Sequence, residues 1–124
     1  MKNPMDGLKK IAELGKKERN VVIAETKIVL KSLSAREENN IFSACQDLDG
    51  IFYINANKIQ TLACSIIEIS GARFETDNEE TLKEKVTVIE SWGQSVVDYL
   101  FTEYSVLIKE IEESFKEIIV EIKE

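Results

Sequence analysis

Residues 95–122 read SVVDYLFTEYSVLIKEIEESFKEIIVEI. Within this stretch Val97, Phe101, Tyr104, Ile108, Ile111, Phe115, Ile118 and Ile122 follow one another at alternating gaps of four and three. That is the a/d pattern of a helix whose apolar seam wants a partner. Ser95 stands where an N-cap would open it. At a rise of 1.5 Å per residue the helix is about 40 Å long, more than a small domain is wide.

The first half of the seam, Val97 to Ile108, suits packing over the rest of the domain. The second half, Ile111 to Ile122, is densely charged around its apolar line and runs past what a compact body of about 100 residues covers. Tyr104, Ile108, Ile111, Phe115, Ile118 and Ile122 are therefore the candidate partner-binding residues. The same stripe is equally the core-facing side of an ordinary last helix. Phe101, Tyr104 and Phe115 are bulky for a two-stranded coiled coil, and suit a groove or a larger bundle better.

Working back from the seam, Ser91-Trp92-Gly93-Gln94 reads as a turn. Before it, residues 79–91 are expected to be helical, capped by Asp77 or Asn78, with acids in the first turn and Leu82, Val86 and Ile89 on one face. Residues 72–77 are a turn or short strand. Residues 51–69 are strongly apolar through Ile51, Ile54, Ile59, Leu62, Ala63, Ile66 and Ile69 or Ile67, and predict a core helix ended by Gly71. Ser34-Ala35-Arg36-Glu37 is a capping box opening a helix over 35–47, with Ile41, Ala44, Cys45 and Leu48 inward and a break at Asp47-Leu48-Asp49-Gly50. Residues 20–31, NVVIAETKIVLK, are rich in β-branched side chains and predict a hairpin tipped by Ala24-Glu25-Thr26, or one extended strand. Residues 5–18 are compatible with a short helix with Leu8, Ile11 or Ala12, and Leu14 on one side, weakened by Gly7 and Gly15.

The net charge of −7 argues against a nucleic-acid binder, which needs a positive face. Charge is also uneven: residues 1–19 hold six basic side chains against three acidic ones, leaving −10 on the remainder. This basic N-terminal segment is either a solvated, frayed end or an arm for an acidic surface. Cys45 and Cys64 fall in apolar helical patterns and read as small buried hydrophobes, so no disulfide framework is expected. No apolar run near residue 1 resembles a secretory signal, and no stretch of about 18 apolar residues predicts a membrane span.

Reaction chemistry is absent from the pattern. There is no histidine, so the usual neutral-pH base and His-based metal sites are missing. The five glycines form no phosphate-binding loop. Asp47 and Asp49 lack the spacing of a calcium loop, and like Asp77, Glu79 and Glu80 they suit turns and helix starts. Phe52, Tyr53, Phe74, Trp92 and Tyr99 could stack on bases, but without a basic groove they read as core or interface residues. No cofactor and no metal are expected.

Three stretches carry a family resemblance. Leu30-Lys31-Ser32-Leu33-Ser34-Ala35-Arg36-Glu37-Glu38 is similar to an L-x-x-L-[ST]-x-x-E-E helix opening. After a turn with Leu48-Asp49, residues 58–71 (KIQTLACSIIEISG) are similar to K-x-x-T-L-A-x-x-I-x-x-I-x-G. Residues 96–104 (VVDYLFTEY) look like the start of a closing helix. Together, over roughly residues 28–108, the chain resembles the small tail or baseplate assembly chaperones of tailed bacteriophages. The resemblance implies a non-enzymatic role in virion morphogenesis, holding a tail protein or helping build the baseplate, in the host-cell cytoplasm or in the virion. It brings no active-site motif and no contact residues.

The expected fold is α+β and predominantly α: a basic N-terminal segment over 1–19, then one domain over 20–124 with a small β-hairpin and four helices, the last amphipathic over 95–122. The expected partner is a phage tail or baseplate protein, a second copy, or both, with no nucleic acid and no membrane. The alternative is a homo-oligomeric helical adaptor or regulatory protein unrelated to phages. An enzyme working through carboxylates alone is the remaining class.

Overall fold

The computed structural model describes residues 3–74 and 78–123, with side chains through Ile118. It is α+β and mostly helical. The described elements are α1 (Pro4–Ala12), β1 (Glu18–Ile23), β2 (Thr26–Lys31), α2 (Ala35–Cys45), α3 (Gly50–Ser65), β3 (Ile66–Ile69), β4 (Ala72–Arg73), α4 (Glu79–Glu90) and α5 (Gln94–Lys123).

The strands form one antiparallel sheet in the order β1-β2-β3-β4. Val21 pairs with Ile28 and Ile23 with Thr26, so the first turn is the two residues Ala24 and Glu25. Both take positive φ, 49° and 66°. A two-residue hairpin loop needs this because only the primed turns match the twist of the flanking strands. Thr26, expected at the tip, is already in the strand.

Residues 66–69, expected to continue the core helix to Gly71, are instead a strand: α3 ends at Ser65 and Ile66–Ile69 form β3. The run Ile66-Ile67-Glu68-Ile69 fits either state locally. Pairing with β2 decides it, with Ile28 opposite Ile69 and Leu30 opposite Ile66 around an irregularity at Val29/Leu30. Gly71 is the second residue of another two-residue turn, Ser70-Gly71, with φ of 53° and 84°. There are therefore two hairpins rather than one.

The helix starts follow their local chemistry. The Ser34 hydroxyl accepts the Glu37 amide at 3.1 Å, and the Glu37 carboxylate accepts the Ser34 amide at 2.9 Å, closing the capping box. Asn78, not Asp77, caps α4 by accepting the Thr81 amide at 2.9 Å; Asp77 lies outside the described residues. Helix α5 begins one residue before Ser95, and the Gly93 carbonyl accepts the amides of Val96 and Val97. Ser95 thus lies in the first turn rather than at the cap.

The core lies between the sheet and α3, α4 and α5. Val21, Ile28, Leu30, Leu62, Ala63, Ile66, Ile89, Val97, Leu100 and Tyr104 form it, with Leu82 and Val86 packed on its margin. A second cluster joins α2 to α3 through Ile41, Cys45 and Cys64. Both cysteines are free and buried, and burial pushes the Cys45 thiol up from its ordinary value. Lys85 buries its stem and donates to the carbonyls of Ala63 (3.2 Å) and Ile66 (2.8 Å), with its ammonium 4.0 Å from the Phe74 ring centroid. A cation there meets the negative end of the α3 dipole where the helix gives way to a strand.

Candidate functional site

The core-facing side of α5 is rotated from the strict 4-3 seam. Leu100 and Leu107 are fully buried, whereas Phe101 and Ile108 only flank the core. The inward stripe runs Val97, Leu100, Tyr104, Leu107, the wider face of a helix lying on a domain. Of the candidate partner-binding residues, Tyr104 is 7% exposed and belongs to the core. Burial first, and then the carboxylates of Glu38 and Glu37, push its hydroxyl up to about 12. Ile108 packs against that core. Ile111 and Ile118 are half-buried and Phe115 is 46% exposed, so these three remain available at the distal end. The Ile122 side chain lies outside the described residues.

The point where α5 leaves the body is marked by ion pairs. Arg19 on β1 reaches Glu103 at 2.7 Å and Glu110 at 3.0 Å, and Lys17 reaches Glu110 at 3.1 Å. The hydrogen bond to Glu103 is the main reason the Arg19 guanidinium titrates above its ordinary value. The end of the basic segment is therefore held to the acidic helix, and residues 18 and 19 already belong to β1.

A second surface was not found in the sequence. The expected inward residues Ile51, Ile54, Ala44 and Leu48 are all exposed. With Phe42 and Phe52 they make an apolar tip on the α2–α3 helical hairpin, where Phe52 is 71% exposed. Phe42 and Tyr53 hold each other with ring centroids 6.5 Å apart. The cause is local geometry. Ile51 and Ile54 share one face about 60° wide around the first turn of α3, while Phe52 points about 100° from Ile51 and about 160° from Ile54, so no single face can bury all three. That turn stands beyond the sheet, and only from Thr61 to Ser65 is α3 buried throughout. The signal available in the sequence was the adjacency of Ile51 and Phe52, which an amphipathic helix would not need. Asp47 and Asp49 flank this tip in sequence, and Asp49 makes no side-chain cap bond to α3.

An apolar cleft of about 170 Å³ between β3 and α4 is lined by Ile66, Ile69, Phe74, Val88 and Trp92 with Lys85, smaller than the roughly 300–1,000 Å³ of small-molecule sites, and a larger, open one of about 640 Å³ lies beside Ala12, Lys17, Leu33 and Glu37. Among the described residues no cluster of His, Cys, Asp or Glu could hold a metal ion. No helix among them is long and apolar enough to cross a membrane. No protein-family model matches the chain, and no curated protein or solved structure matches it.

Proposed function

We propose that this chain is a non-enzymatic protein-binding component of tail or baseplate assembly in a tailed bacteriophage, as a chaperone or a minor structural part. The observation that carries the binding half is the apolar tip: Phe42, Leu48, Ile51, Phe52 and Ile54 are large, lie within the one α2–α3 helical hairpin, and are exposed. Clustered exposed apolar side chains are where proteins commonly meet other proteins. The resemblance over residues 28–108 supports the phage half. The fitting client is an apolar segment, and its basic flanks would face Asp47 and Asp49. Covering Phe42, Ile51 and Phe52 would contribute about 3–6 kcal/mol before the costs of association.

The test is co-expression of the tagged chain with the tail and baseplate proteins encoded beside it. The expected result is that one of them is retained, and that the double substitution Ile51→Ser and Phe52→Ser loses it while circular dichroism is unchanged. Retention of none by the wild type, or equal retention by the tip variant, would overturn the reading. The alternative, a self-associating adaptor, is favoured by a separate observation: the chain carries two amphipathic helical segments of opposite charge, each with an uncovered apolar line.

A further inference from the structure

The first of these segments is α1. Met5, Leu8 and Ile11 lie along one side of it, all are exposed, and no residue of the helix is buried. Lys9 and Lys10 occupy its last turn. Such a helix cannot owe its stability to this domain, since nine residues are too few to be helical alone in water. Something must cover the apolar side.

The second segment is the distal half of α5. Ile111, Phe115 and Ile118 continue the seam after the body stops covering it. Glu112, Glu113 and Glu117 surround it, against Lys116 alone between residues 111 and 118. Among the described residues, Lys9 and Lys10 on one segment and Glu112, Glu113 and Glu117 on the other have no ion-pair partner. The two surfaces match in length as well, since Met5 to Ile11 and Ile111 to Ile118 each span about 10 Å of helix.

These complementary surfaces do not meet within one chain. Lys17 reaches Glu110 of its own chain, but the backbone between α1 and β1 is held on Ser32: the Ser32 hydroxyl donates to the Gly15 carbonyl at 2.7 Å and accepts the Lys17 amide at 3.1 Å, and the Ser32 amide donates to the Lys17 carbonyl at 3.0 Å. That clamp points the chain toward the start of α2, and an open cleft of about 640 Å³ lined by Ala12, Lys17, Leu33 and Glu37 lies under it. Two distal halves of α5 laid together would instead set acid beside acid. A membrane surface suits a basic helix, but the remaining −10 of this chain opposes an anionic bilayer.

We infer that α1 of one copy docks on the distal half of α5 of a second copy, and that the exchange is reciprocal. Each copy gives an α1 and receives one, which closes a two-fold dimer without leaving a free end. The contact uses residues separate from the α2–α3 tip, so its failure leaves client binding standing, and the reverse.

Charge reversal tests it. One variant carries Lys9→Glu and Lys10→Glu; the other carries Glu112→Lys and Glu117→Lys. None of these side chains is buried, so circular dichroism should match the wild type. By analytical ultracentrifugation the wild type should sediment at twice 14.1 kDa, and each variant alone should dimerise at least tenfold more weakly. An equimolar mixture should recover the dimer, because α1 of the first then meets α5 of the second and the reverse also holds. A wild type that stays monomeric, a variant that dimerises as well as the wild type, or a mixture that does not recover would overturn the inference. So would a monomer that binds phosphatidylglycerol vesicles through α1.

Discussion

Both ends of α3 carry apolar side chains, the larger ones at the first turn, yet the two ends meet opposite fates. Its last turn, Thr61 to Ser65, is buried on every side, beneath the sheet and against α5, and it is closed by Lys85 on the Ala63 and Ile66 carbonyls. Its first turn carries Ile51, Phe52 and Ile54, each at least half exposed. Apolar content did not decide which end is core. The reach of the neighbouring layers did, and a helix of 16 residues is longer than the sheet it lies on is wide. The surplus end becomes an exposed surface, which is the physical basis for proposing binding there.

Substitutions at the two ends should therefore separate widely. Leu62→Ala, at the buried end, should cost about 2–5 kcal/mol through lost transfer energy and a cavity, read as a lower urea midpoint with unchanged slope. A loss near zero would mean that the helix does not pack as described.

The next effect is alkaline. Tyr104 lies in the same cleft as Thr61 near the buried end of α3, and its hydroxyl is held above the ordinary value of 10.0, at about 12. The fold favours the neutral phenol, so this stabilisation is complete below pH 10 and is lost as pH rises from 10 through 12. It amounts to at most about 3 kcal/mol. Denaturant melts across that range should fall for the wild type and flatten for Tyr104→Phe.

The helix starts give a smaller contrast. Ser34→Ala should cost about 1 kcal/mol, since it removes the acceptor of the Glu37 amide. Asp49→Ala should change stability by less than about 0.5 kcal/mol, because Asp49 makes no cap bond. Equal losses would show that the two starts are held alike. Smallest of all, Phe52→Ser at the exposed end should leave the urea midpoint within about 0.5 kcal/mol of the wild type, and a larger drop would place Phe52 in the core.

Much of this fold is legible in short stretches of sequence, because caps, turns and helix stripes are local. The Ser34 box, the Asn78 cap, the hairpin over 20–31 and the extent of α5 all rest on neighbours a few residues away. β3 is different. Ile66 to Ile69 can continue a helix or become a strand, and only β2, about 40 residues earlier, selects the strand. The inward turn of α5 was missed for a related reason: the strict seam picks Phe101 and Ile108, whereas the broad body also takes Leu100 and Leu107. The apolar tip was hidden because a stripe read along 51–69 assumes that one layer covers its whole length. In the candidate interface, Phe115 and its neighbours were legible as a seam, but the exposed side of α1 as their complement needed the Ser32 clamp to be seen.

The placement of α2 and α3 between adjacent strands sets the order in which the chain assembles. β1 with β2, and β3 with β4, can each zip across two-residue turns on a microsecond scale. β2 and β3 can meet only after the 34 residues between them have closed into a loop, a search whose entropic cost grows with loop length. Docking of α2 on α3 shortens that search by bringing Lys31 and Ile66 toward each other. The central pairing of the sheet is therefore expected to be the slow step of folding. Until it completes, β2 shows a bare edge of Ile28, Val29 and Leu30 to every other chain emerging nearby, so crowded synthesis is when this protein is most exposed to mispairing.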